Sequence, residues 1–157
     1  MTLRMILTAM FAGASLAACG GKPKPPEAGA GTPAPDPGLS LYDRLGKQDA
    51  IVAVVKDFVE ERVAKDNRIN VFFANADTPA LEVKLVDQIC QATGGPCTYT
   101  GKDMKTSHAG LKIRDADFTA LVEDLKASLD HFKVDAQSQQ ELLGALAAMR
   151  DDIVTAK

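Results

Sequence analysis

Two histidines, three cysteines and no tryptophan are the sparse metal-ligating inventory of this 157-residue chain. His108 closes the run Met104-Lys105-Thr106-Ser107-His108, just ahead of Gly110 and the apolar Leu111 and Ile113. A neutral imidazole in such a run could offer one ring nitrogen to a metal while the other donates a hydrogen bond that fixes the ring. By pattern alone, a half-buried structural histidine set against Met104 is the simpler reading. His131 stands between Asp130 and Lys133 at the end of an apolar-striped segment, where an imidazolium favours the helix dipole. Zinc frameworks need four ligands at paired spacings, and a site built from Cys90, Cys97 and His108 has neither the spacing nor the fourth ligand. Cys90 and Cys97 flank Gly94-Gly95-Pro96. They read either as two buried thiols or as a disulfide, which requires Cα atoms within about 7 Å.

The elements that must position these residues are helices throughout. Ser40-Leu41-Tyr42-Asp43 has the form of a capping box and opens a short helix that stops at Gly46. Ile51, Val54, Val55, Phe58 and Val63 then recur at helical spacing, with Lys56, Asp57, Glu60 and Glu61 on the opposite, solvent-facing side. A short turn ends in Phe72-Phe73. Thr78 before Pro79 marks the cap of a helix carrying Leu81, Leu85, Ile89 and Ala92, and Gly94-Gly95-Pro96 terminates it. About two helical turns are expected near Met104 to Ala109, then a long helix over Phe118 to Leu129 that ends near Phe132. A last helix from about Asp135 carries Leu142, Leu143, Leu146, Met149 and Ile153 on one face. There is no period-2 strand of useful length and no internal repeat. At 46% apolar and 25% charged residues the chain holds one modest globular core. A net charge of −3, with no basic run beyond pairs, sets nucleic-acid binding aside.

Residues 1–18 are a separate matter. Arg4 precedes an uncharged apolar stretch from Met5 to Ala18. At 1.5 Å per residue it reaches roughly 21 Å, short of the ~30 Å hydrocarbon core, so it reads as a secretory signal. Leu16-Ala17-Ala18-Cys19 resembles the lipobox of bacterial lipoproteins, which implies cleavage before Cys19 and acyl chains on that cysteine. Gly20 in place of aspartate implies, by the same resemblance, an outer-membrane anchor facing the periplasm. Residues 19–38 hold Pro23, Pro25, Pro26, Pro33, Pro35 and Pro37 without one large apolar side chain, the composition of an extended tether. The folded domain is expected over residues 39–157.

Taken in order, SLYDRLG, AIVAVVKDFV, NVFF, LVDQICQATGGPCTYTG, MKTSHAG, DADF and ELLGALAAMRDDIV resemble the group I truncated haemoglobins, across essentially all of Leu39 to Val154. The resemblance implies an all-α, two-over-two globin sandwich around haem b, with His108 as the proximal iron ligand. It implies Phe73 against the porphyrin, with Phe72, Leu81, Leu85, Met104, Ile113, Phe118 and Leu146 as further pocket wall. Each of those side chains could equally be plain core. Lys84 matches a position that reaches the haem edge, where it would pair with a propionate or, as a neutral amine, become a sixth iron ligand.

The gas-binding side departs from the family. Val59 falls where many members carry a tyrosine that hydrogen-bonds oxygen, and Leu85 falls where many carry glutamine; with Leu81 they make an apolar distal face. One hydrogen bond to a charged partner is worth ~1.5–3 kcal/mol, or about 10- to 100-fold, so their loss predicts weak oxygen retention and easy oxidation to the ferric state. Glu60-Glu61-Arg62 contains one residue more than the pattern, which leaves the helical phase beyond Val59 open, and Gln88, one turn after Leu85, is an amide that could turn inward. Three functions follow: a haem protein of the oxygen-carrier type that binds a diatomic gas, an enzyme, or a membrane-tethered helical module without cofactor. The enzyme would be a nitric oxide dioxygenase or peroxidase-like catalyst, fed by an external reductant.

Overall fold

The structure, a computed structural model, describes residues 38–156; the expected signal, Cys19 and most of the tether lie outside the described residues. Within them the chain is helical, with no strand. Helix α1 (Leu41–Arg44) is capped by Ser40, whose Oγ accepts from the Asp43 backbone N–H at 3.1 Å and donates to the Asp43 carboxylate at 2.6 Å. Helix α2 (Lys47–Lys56) starts beyond Gly46 and buries Ile51, Val54 and Val55. It runs on without a break into a π-helical segment, Asp57–Val63. A 3₁₀ turn, Asn70–Phe72, leads to α3 (Thr78–Ala92), α4 (Met104–His108), α5 (Asp115–His131), α6 (Ala136–Ala148) and α7 (Arg150–Ile153).

Three features differ from the sequence reading. The cap of α3 is Asp77, whose carboxylate accepts from the Ala80 N–H at 3.1 Å, so Thr78 is the first helical residue and Pro79 the second. Proline costs nothing there because a first-turn N–H has no intrahelical partner. The last helix is two helices: the Met149 N–H bonds back only three residues, to the Leu146 carbonyl at 3.0 Å, and the chain restarts as α7. The tightened turn aims Ile153 at Ile113 and Phe118, with which it forms a small buried cluster. Third, Asp57 is buried rather than solvent-facing.

Helix α2 and its π continuation form the centre, packed on α3 and α5, while α6 packs on α5 and α1. The principal core collects Ile51, Val54, Val55, Phe58, Val59, Val63 and Ile69 from the central strip and Val86, Cys90, Ala120, Leu125, Leu129 and Leu142 from its neighbours. Cys90 and Cys97 are disulfide-bonded, with Cα atoms 5.7 Å apart, which ties the end of α3 to the loop that leads into α4. Gly95 is required inside that loop, since a Cβ there would meet Tyr42 Cδ2 at 2.6 Å and Cys90 Sγ at 2.7 Å.

Candidate functional site

Helix α4 is only five residues long, so it depends on its cap and its neighbours. Asp103 accepts from the Thr106 backbone N–H at 2.8 Å and from the Thr106 hydroxyl at 2.7 Å, bonds that hold its carboxyl below the usual carboxylate range. His108 is the last residue of the helix and is half-buried. Its Nδ1 lies 2.7 Å from the Met104 carbonyl, one turn back. A carbonyl can only accept, so Nδ1 carries the proton, and in the neutral ring the lone pair is left on Nε2. The ring is therefore oriented and presents a donor nitrogen for a metal.

Behind His108 the chain turns sharply through Gly110 at φ +81° and reaches Ile113. That return is fastened to the other end of the domain. The Ile113 N–H donates to Thr155 Oγ1 at 3.2 Å, the N–H groups of Thr155 and Ala156 both donate to the Ile113 carbonyl at 2.9 Å, and Arg150 pairs with Asp115. Helix α4 itself packs on α7.

The buried side chains fall into two clusters, the principal core and the smaller Ile113, Phe118, Ile153 group; half-buried Phe72 and Leu146 pack against both. Phe73 and Leu85 border the first cluster and Met104 and Met149 the second, all half-buried. Leu81 is half-buried as well, Val59 is buried in the principal core, and Lys84 is exposed on α3. Thus Phe72, Met104, Ile113, Phe118 and Leu146 share one neighbourhood, while Phe73, Leu85 and Val59 belong to the adjoining core. Gln88 links the sides: its Nε2 donates to Met104 Sδ at 3.5 Å and to Met149 Sδ at 3.7 Å.

The donor set bears on which group could sit there. Among the described residues no three His, Cys, Asp or Glu side chains gather to hold a metal ion, and the disulfide removes both thiolates that a zinc site would need. A lone oriented imidazole beside large half-buried apolar side chains suits a flat apolar macrocycle that brings its own metal and its own remaining ligands. These residues fit haem b.

The second histidine is placed quite differently. His131 Nδ1 lies 2.9 Å from Asp57 Oδ1, and Asp57 Oδ2 accepts from the Ser128 hydroxyl at 2.7 Å and from Arg62 Nε at 3.2 Å. Burial pushes the Asp57 carboxyl up, but the bonds from Ser128, His131 and Arg62 outweigh it and leave it below the ordinary range. Sequence reasoning missed this cluster because it placed Asp57 on the solvent side. The one available signal was the extra residue in Glu60-Glu61-Arg62, which the π segment absorbs. The phase left open by that residue is resolved in the structure: Val59 is buried, and Glu60 is exposed and paired with Lys56 at 3.4 Å.

Comparison with known proteins agrees with this geometry. The family model described as bacterial-like globin matches residues 40–155. A group 1 truncated hemoglobin of Mycolicibacterium paratuberculosis is 34% identical over 116 residues, covering 74% of this chain and 85% of that protein. One from Tetrahymena pyriformis is 30% identical, covering 73% of this chain and 94% of that protein. The crystal structure of the Tetrahymena pyriformis truncated hemoglobin in its Fe(III) form superposes with a TM-score of 0.71 at 29% identity, covering 74% of this chain and 98% of that one. A 2/2 hemoglobin from Synechococcus, solved in the cyanomet state with covalently attached heme, gives a TM-score of 0.69 at 27% identity, with the same coverages of 74% and 98%.

Proposed function

Because this chain belongs to the bacterial-like globin family, whose cofactor is haem b, we propose that it binds a diatomic gas reversibly at iron held by His108. The observation that carries this reading is the 2.7 Å contact from His108 Nδ1 to the Met104 carbonyl, which leaves the lone pair of the neutral ring on Nε2. Haem held by His108 would supply an iron able to bind the gas. The chain's own residues do the rest. Phe72, Met104, Ile113, Phe118 and Leu146, with Phe73 from the adjoining core, would keep water from the bound group, and the Met104 carbonyl keeps His108 in one tautomer. Lys84 is exposed, which suits a charge pairing with a propionate at the haem edge better than a bond to iron.

The distal side gives the gas little to bond to. Val59 is buried with Glu60 turned away, Leu81 and Leu85 carry no donor, and the Gln88 amide is engaged by the Met104 and Met149 sulfurs. A face without donors would stabilise no negative charge on a bound gas, so these residues favour ligands that stay nearly neutral, carbon monoxide and nitric oxide, over oxygen. The sequence Leu16-Ala17-Ala18-Cys19 supports a lipid anchor on Cys19, at the periplasmic face of an outer membrane, as the setting for this activity.

The test takes the full chain, reconstituted with hemin, through ferric, ferrous and carbonyl absorption spectra, then measures oxygen release by stopped-flow displacement. Wild type should release oxygen fast, and Leu85→Gln should slow release about 10- to 100-fold by restoring one donor. Release from wild type as slow as from the variant overturns the apolar-face reading. Failure to develop a Soret band with hemin overturns the haem site itself.

A further inference from the structure

We propose that Asp57 is a positioning residue: with Ser128, His131 and Arg62 it fixes where the π bulge sits, and so decides that Val59 and not Glu60 meets the gas-binding face. This rests on the globin reading above. A π turn is a poorer helical geometry than an α turn and persists where something holds it. Here the holding groups are explicit. Asp57 is the first residue of the π segment and Arg62 lies five residues on, the spacing at which a π turn brings two residues into line. From the facing helix α5, Ser128, wholly buried, donates to Asp57 Oδ2 and His131 donates to Oδ1. All three donors converge on one carboxylate.

The position of the bulge has a chemical consequence because a single extra residue is absorbed there. On its α2 side the apolar stripe Ile51, Val54, Val55 is locked in the core; Val63, the last residue of the π segment, and Ile69 beyond it are almost fully buried. Neither flank can slide. The bulge between them can migrate, and a move toward α2 advances the residues behind it by one, which brings Glu60 to the place of Val59. A carboxyl group would then replace an isopropyl group in the distal face, with a proton donor or a negative charge where there was neither. The clasp prevents this, and Glu60 stays exposed beside Lys56.

Carboxyl footprinting of the full chain without haem reads the register directly, by carbodiimide-driven coupling of an amine to Glu60 with its exposed neighbour Glu61 as the internal reference. In wild type both should label; in Asp57→Leu, Glu60 should lose labelling relative to Glu61. On the haem-loaded proteins, the carbonyl stretching band of the ferrous carbon monoxide form should be single in wild type and gain a displaced component in the variant. Ser128→Ala, which removes one donor and leaves the carboxylate in place, gives a milder version of both effects should Asp57→Leu not fold. Unchanged Glu60 labelling together with an unchanged carbonyl band in a folded variant overturns the proposal. A wild type that takes up no hemin sinks the globin reading alone, since the footprint is measured without haem.

Discussion

His108 and His131 use the same ring atom for their one hydrogen bond, and the nature of the acceptor separates their roles. His108 Nδ1 meets a neutral backbone carbonyl within its own five-residue helix. His131 Nδ1 meets a carboxylate on another helix, 74 residues away in sequence. The carbonyl orients its imidazole without demanding a charge, and Nε2 is free to bind a metal. The carboxylate makes an ion pair of its imidazole when that ring is protonated, and the ring serves the packing of α5 on the π segment. A histidine's role is thus written in what its first nitrogen touches.

The largest expected effect comes from exchanging the two. His108→Ala should abolish retention of hemin through gel filtration, with the Soret band restored in part by added imidazole, because the other histidine, His131, is engaged with Asp57. His131→Ala should leave the Soret band intact and cost under about 1 kcal/mol in urea unfolding, as expected of a partly exposed ion pair. Equal loss of hemin from both variants would break the distinction.

Much of this was legible in the sequence, for physical reasons that also mark where legibility stopped. The stripes Ile51–Val55 and Phe118–Leu129 repeat at the α period, so the helices that bury them are recoverable within a residue or two. His108 was weak as a pattern and became a ligand candidate only through the order of motifs around it. The π segment was invisible to a 3.6-residue period, and Asp57 was misread because a buried carboxylate is tolerated only through partners on α5, distant in sequence. Asp77 was passed over for Thr78 because either side chain can cap and proline tolerates either of the first two helical positions. The break at Met149 has no Gly or Pro to announce it.

The two regions also differ in how they are fastened. The loop leading to α4 is held by a covalent bond, Cys90 to Cys97, at a sequence separation of 7. Closing so small a loop in the unfolded chain is worth about 2 kcal/mol on the chain-entropy account. Cys97→Ser, or reduction by dithiothreitol, should lower the unfolding free energy by about that amount and weaken hemin retention, while the carbonyl band, governed by the distal face, keeps its position. An unfolding midpoint indifferent to reductant would show that packing of α4 on α7 holds the region without the bond.

The π region is instead held by charge, which makes it sensitive to acid. Asp57 titrates below its unfolded value, so its stabilisation is fully present above the ordinary carboxylate range and is lost as the pH falls through the folded value. Asp57→Asn removes the titration while nearly preserving shape. At neutral pH the variant should be less stable by about 1–2 kcal/mol, the worth of charge-assisted bonds from Ser128, His131 and Arg62 less what the amide can still make. That gap should close as the pH is lowered, since the protonated carboxyl of the wild type and the amide of the variant then present similar neutral groups to the same three donors. The other carboxylates titrate alike in both proteins and cancel in the difference. Urea unfolding of both across the acid range checks this, and a gap that stays constant with pH would mean the carboxylate charge contributes nothing to the clasp.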